Sequence, residues 1–337
     1  RVYQWVAPIN GTPQGSYTPM RRLIPPKKQQ MLSFGGSGNL SPTLSSNFEM
    51  ALSNNDQNTF STLDQNDNKG YALHLGLDKQ FLIDDTSRSR LSSSLSYRVV
   101  HQHFTPVERF REVEFDRDWN LRHRKVAGHE HLVAGGIQYW HEDWGKSNYR
   151  LEYLGYGSGY KGYRNQLGAN LSHRSYHLRL KGNILNTKGA RTQTRFYRYQ
   201  ADFSKHFGNL IAGAKNAGEH NQWRQDSLLS QSFSFNQWQF YVKTPDSLKN
   251  QYSLSYKLRN DQLPDGKSLQ KATRAQDLNL GIQINSLNNN QLKARVTYRK
   301  LHTTDTNLTS VKPEDHLLGR VEHSMRAFNN LISTSTH

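Results

Sequence analysis

The sequence predicts an all-β chain, an antiparallel up-and-down meander of roughly 12–16 long strands. Three observations carry that reading. Apolar residues recur with a period of two over most of the 337 residues, and no long amphipathic helical pattern interrupts them. Aromatic residues are plentiful, with 17 Tyr, 14 Phe and 6 Trp against 4 Met. Large flat sheets curl, and free edges pair with other chains, so a sheet of this size is expected to form all or part of a closed barrel.

The clearest unit is residues 163–184. Tyr163, Leu167, Ala169 and Leu171 alternate with Arg164, Gln166 and Asn170. After a polar break at 172–175, Tyr176, Leu178, Leu180 and Ile184 alternate with His177, Arg179, Lys181 and Asn183. Two such runs joined by a short polar connection read as a β-hairpin with one apolar and one polar face.

From the start of the chain, residues 1–31 carry Pro8, Pro13, Pro19, Pro25 and Pro26. These oppose a central strand and a long helix, so we read a short strand over 2–7, turns and an extended crossing segment. Residues 32–337 then form the sheet. Leu44, Phe48, Met50 and Leu52 are in phase, as are Tyr71, Leu73, Leu75 and Leu77, and then Leu91, Leu95, Tyr97 and Val99. Residues 101–125 mix aromatics with dense charge (ERFREVEFDRDW) and read as a charged strand pair or as a short helix over 105–111 followed by a strand. Further strands are expected near 131–141, 148–156, 191–205, 210–215, 228–244, 251–259, 277–287, 291–302 and 316–328, with a last one at 331–336. Ser93, His123 and Gln200 fall where an apolar residue is expected.

Hydrophobic content is only 34%, with a mean hydropathy of −0.86. The net charge of +17 favours anionic partners. The basic residues are interleaved within strands rather than clustered in a run, so nucleic acid is not expected. With no cysteine, disulfides and thiolate chemistry are excluded. No apolar run is long enough for a membrane helix, which says nothing against a transmembrane barrel.

Alternation suits a membrane barrel and a β-sandwich alike. Three features favour the barrel. The strand candidates are long, and aromatics such as Tyr139, Trp140, Trp144, Tyr149, Tyr153, Tyr156, Trp238 and Tyr241 gather near their ends. Alternate polar positions (Arg195, Arg198, Lys257, Arg259, Arg295, Arg299) suit a wet interior. Arg164, His177, Arg179, Lys181, Arg195 and Arg198 are the expected lumen-facing basic residues.

Candidate chemistry is sparse. Asp64, Asn66 and Asn68 place oxygen ligands at alternating positions, as calcium requires, although the same residues serve ordinary turns. No cofactor is therefore expected, with calcium as the exception to test. His129 and His131 present two imidazoles on one strand face in a spacing that zinc accepts, but the helical HExxH pattern is missing. Glu142 and Asp143, beside Trp140 and Trp144, evoke a glycan hydrolase, yet adjacent carboxylates on a strand point to opposite faces. No nucleophile elbow or phosphate-binding glycine loop is present. The expectation is a protein without catalytic chemistry.

Several segments carry a resemblance. They are VYQWV at 2–6 with GSYTP at 15–19, EMALSNNDQNTFS at 49–61 with DNKGYA at 67–72, and GRVEH at 319–323. With E-x-A-x-S-x-x-D-x-N-x-F-S and D-N-x-G-x-A patterns, the chain resembles large, mostly uncharacterised outer-membrane β-barrel proteins of Bacteroidota. The resemblance implies a bacterial outer-membrane location and contact with lipid and lipopolysaccharide. It also implies more sequence before and after this section, with other envelope proteins completing the assembly. The expected role is passage, secretion or surface scaffolding. The alternatives are a soluble or cell-surface β-sandwich binding an anionic or carbohydrate ligand, and an envelope glycan hydrolase.

Overall fold

Alternation on this scale yields one sheet. The computed structural model describes residues 4–14, 24–63, 65–82, 88–157, 159–285, 290–327 and 332–336. It holds sixteen antiparallel strands, each hydrogen-bonded to its sequence neighbours. The strands are β1 (Lys28–Ser41), β2 (Leu44–Asp56), β3 (Lys69–Leu82), β4 (Ser89–Val100), β5 (Glu130–His141), β6 (Gly145–Tyr156), β7 (Tyr160–His173) and β8 (Tyr176–Gly189). They continue as β9 (Gln193–Phe207), β10 (Leu210–Arg224), β11 (Phe233–Lys243), β12 (Gln251–Asp265), β13 (Ser268–Asn285), β14 (Asn290–Thr303), β15 (Glu314–Ala327) and β16 (Ile332–Thr336). A four-residue helix, α1 (Phe115–Asp118), lies between β4 and β5. No pairing joins β1 to β16, so the sheet of described residues is open.

Because residues directly opposite in an antiparallel pair share a face, the register carries one side from strand to strand. Gly36, Phe48, Leu75, Tyr97, Val133, Tyr153 and Tyr163 form one row across β1 to β7. Leu171, Leu178, Phe203, Ala214, Phe240, Tyr256, Leu278, Tyr298 and Leu317 form another across β7 to β15. The opposite face is polar and small. Its first strands present Ser33, Gly35 and Ser37, then Asn47 and Glu49, then His74 and Asp78, then Ser92, Ser94 and Ser96.

Hydrophobic burial is therefore inverted relative to a packed sandwich. Phe48, Leu75, Phe240, Tyr256, Leu278 and Tyr298 are all exposed. There is one sheet, and no second layer covers this face among the described residues. The buried cluster sits on the polar face, where Phe115, Trp119 and Leu121 of the segment 101–129 pack on Leu154, Tyr156, Tyr160, Leu185 and Phe196.

The connections differ between the two ends. Tight turns at 42–43, 142–144, 174–175 and 208–209 mark one end, and 57–68, 101–129, 225–232 and 304–313 are the long connections of the other. Turn chemistry fits these places. Gly208 has φ +58 and Arg174 φ +53, the left-handed values that two-residue hairpins demand.

Several expectations change. The sheet begins at Lys28, four residues before the expected boundary at 32. Residues 4–7 form no strand, and 1–3 lie outside the described residues. The expected helix over 105–111 is irregular chain, and the helix falls at Phe115–Asp118. Dense charge in this stretch serves ion pairs with the sheet rather than a strand face. Ser93 does lie on the apolar face, opposite Ile137. Gln200 is opposite Lys181 on the polar face, and His123 belongs to the inserted segment. The apolar phase is thus cleaner than the sequence implies.

Gly145 has φ +99, and a Cβ there would run into the Asn170 carbonyl across the β6–β7 pair. Gly266, at φ +57 in the β12–β13 turn, has open space around it. Gly145→Ala should lower unfolding stability by at least about 1 kcal/mol, and by more than Gly266→Ala, in denaturant melts. Equal costs would show that the Asn170 contact does not matter.

Candidate functional site, a segment seated on the polar face

The inserted segment 101–129 leaves β4 at the long-loop end and returns to β5. Its first part reaches back over β1–β3. The Thr105 amide donates to Ser53 Oγ (3.0 Å), Gln29 Nε2 donates to the Pro106 carbonyl (3.2 Å), and Gly70 lies against the Phe104 backbone. Its second part crosses β6–β10. Trp119 is fully buried over Gly162, whose Cβ would meet the indole at 3.1 Å. The Trp119 carbonyl accepts from Tyr160 Oη, and the Arg164 guanidinium stacks over its ring at 4.6 Å.

Three anchors surround that ring. Asn120 and Asn221 exchange amide hydrogen bonds, each 3.0 Å, and Asn120 Nδ2 also donates to Thr194 Oγ1 (2.9 Å). Asp118 accepts from Arg164 (3.2 Å) and Arg198 (2.6 Å), binding α1 to β7 and β9. Arg117 donates to Glu219 on β10 (2.6 Å), which keeps this guanidinium's pKa raised against the opposing effect of burial.

Charges inside the site are matched. Glu130, almost fully buried, accepts from Arg98 (3.1 Å), Arg111 and Tyr156 Oη. Glu152 accepts from Arg150 Nε (2.9 Å) and Arg164 Nε (2.5 Å). Each buried carboxylate meets at least two cationic donors, as an anion out of water requires. Arg124 differs. It lies between the Tyr160 and Trp223 rings at 5.3 and 5.0 Å and donates to the Thr192 carbonyl (3.3 Å), while its Nε and Nη1 are buried without partners. Burial pushes its pKa down.

The expected residues divide. Arg164 and Arg198 hold the inserted segment. His177, Arg179 and Lys181 lie on the same polar face, His177 within 2.8 Å of Ser172 Oγ and Arg179 opposite Asp202. Arg195 does not join them. It pairs with Asn186 in register, one residue from the core residue Phe196, and so lies on the opposite face. A period of two cannot place positions 195 and 198 on one side.

The metal candidates are dispersed. His131 bonds Tyr97 Oη (2.9 Å) on the apolar face, whereas the His129 ring lies tilted against His101 at 4.6 Å. Asp64 lies outside the described residues, and the Asn68 carbonyl accepts from the Asn55 amide (2.8 Å). Asn66 stays in the same connection. No group of three acids or histidines suited to a metal occurs among the described residues. Glu142 and Asp143 both bind Arg88, each at 2.9 Å, on an exposed turn. The Arg88 hydrogen bond holds the Glu142 carboxyl below its usual range, so it is ionised at neutral pH and unsuited to donate a proton.

Sequence reasoning missed Trp119, Asp118, Asn120, Glu130 and Glu152 as one unit. Its only signal was a charged aromatic stretch without strand phase. Compared with known proteins, the chain matches no family model and no curated protein.

Trp119→Ala should cost about 3–5 kcal/mol of local packing. Limited proteolysis should then cut within 101–129 while the far-ultraviolet β signal persists. Unchanged protection of the segment would contradict the anchoring role of Trp119.

Proposed function

We propose that the sheet forms all or part of an outer-membrane β-barrel, with its apolar face toward lipid, its polar face toward water and residues 101–129 seated in the lumen. Its role is passage, secretion or surface scaffolding, without a catalytic step. The observation that carries this reading is the continuous exposed apolar face opposite a polar one that holds the buried cluster. A soluble protein rarely leaves so large an apolar surface uncovered.

Dimensions add support. Tyr71 and Phe81 bracket the apolar face of β3, and Tyr197 and Phe207 that of β9. Ten residues of strand span about 33 Å, or about 23 Å along the normal at a tilt near 45°. An apolar band of about 25 Å between aromatic girdles is what an outer-membrane barrel needs. The tight turns then suit the periplasmic end and the long connections the outside, with the inserted segment folding inward from there. Lipid tolerates no open edge, so closure requires β1 to meet β16 or further strands. The resemblance to large barrels of Bacteroidota fits the second route, with lipid, lipopolysaccharide and envelope proteins as partners.

Intact chain should require detergent for solubility and run with heat-modifiable gel mobility. In lipid vesicles, Leu254→Arg should destabilise by about 2–4 kcal/mol, while the neighbouring Ser255→Arg costs less than about 1 kcal/mol. Full solubility without detergent, or equal costs at the two positions, would overturn the reading.

A further inference from the structure

On the polar face, Glu130 and Glu152 are buried where the inserted segment lies and Asp277 is buried midway along β13, whereas the tight-turn end of β11–β15 holds no buried acid among the described residues. Lys243, Ser253, Gly281, Arg295 and Arg320 form one row across five strands in register. The next row toward the tight-turn end holds Gln251, Gln283, Lys293 and Glu322. These side chains line a groove of about 390 Å³.

Two features of the groove are unusual for a merely solvated face. First, Arg295 and Arg320 stand directly opposite each other, an arrangement that repels. Second, the acids do not balance the bases. Asp246 takes Lys243 (3.0 Å) and Glu322 takes Arg320 (2.5 Å). Lys293 and Arg295 make no side-chain hydrogen bond or ion pair with the described residues, although Glu322 is the register partner of Lys293. Elsewhere on the same face Lys257 and Arg299 share Asp277, and Arg259 has Asp261.

The floor between the cations is small. Ser253 and Gly281 separate Lys243 from Arg295, and a Cβ on Gly281 would meet Ser253 Oγ at 2.6 Å. Strands stand about 4.8 Å apart, so Lys243 and Arg295 begin about 14 Å apart. Their long side chains can converge over this floor from both sides.

We propose that this groove binds a multiply charged oxyanion of the phosphate or sulfate class. Arg295 supplies a planar fork for two oxygens, Lys293 supplies a point charge, and Ser253 and Gln283 supply neutral polar contacts, while Lys243 stays paired with Asp246 at the rim. The bound anion offsets the Arg295–Arg320 repulsion. The ligand is a soluble oxyanion or the exposed phosphate of a soluble molecule rather than a lipid headgroup, because the site lies on the polar face. The row of cations rests on register and charge, whereas the choice of a soluble ligand rests on the proposed orientation of the polar face toward water.

Inorganic phosphate titrated into the intact folded chain in chloride buffer should bind in saturable fashion and weaken as salt rises. The Lys293→Gln, Arg295→Gln double variant should bind at least about tenfold more weakly. Arg179→Gln, outside the groove, should bind as the parent does, and β-sheet circular dichroism should be the same for all three. Micelles doped with phosphatidic acid, compared with phosphatidylcholine alone, give the lipid arm. Absence of phosphate binding, equal affinity in parent and double variant, or binding only to phosphatidic acid would each overturn the proposal.

Discussion

Everything in this fold depends on side parity carried through backbone pairing. In an antiparallel ladder, directly opposed residues share a face, and a slip of one residue reverses the whole strand. Across the hairpins the chain keeps that parity, so the apolar positions of β1 to β15 accumulate on one side. The register shifts near Asn39 and near Asp261 are local. The second leaves Ala272 as a buried extra residue whose carbonyl accepts from the Thr304 and Asp305 amides. Such a bulge absorbs an irregularity without turning the strand over.

That constraint explains where the charges go. With the apolar side chains committed to one face, the polar face has to hold its own buried cluster together. It does so by seating a foreign segment on it, fixed by one indole, one amide pair and carboxylates that each serve two or more cations. Glu130 binds strands β4 and β5 to Arg111, and Asp118 ties β7 to β9 through α1. Removing one carboxylate would strand two guanidinium groups, a larger loss than any single exposed ion pair. The cluster under Trp119 is therefore a small conventional core inside an otherwise inverted protein.

Much of the sheet was legible because period two is a local signal. The hairpin of β7 and β8 was readable residue by residue, since Leu171 opposes Leu178 and Ala169 opposes Leu180, as the alternation requires. Strand ends were less legible, as at Lys28 and Phe233, because polar residues extend a ladder as readily as they begin a turn. Arg195 was misplaced by composition alone, and counting parity from Phe196 corrects it. The site was hidden for a different reason. Trp119, Asn120 and Asp118 find partners 41 to 101 residues away, at Tyr160, Asn221 and Arg198, and no local period encodes such contacts. The facing Arg295 and Arg320 likewise become visible only once the register of β14 and β15 is known.

The central claim is that the apolar face meets lipid while the polar face meets water. The chain has no cysteine, so single cysteines can be placed along β8 without background. Reconstituted protein carrying a fluorophore at each position from 177 to 184 should give alternating quenching. Lipid-borne quenchers should act at 178, 180, 182 and 184, and aqueous iodide at 177, 179, 181 and 183. Quenching by iodide at every position, with no response to the lipid quencher, would contradict the account.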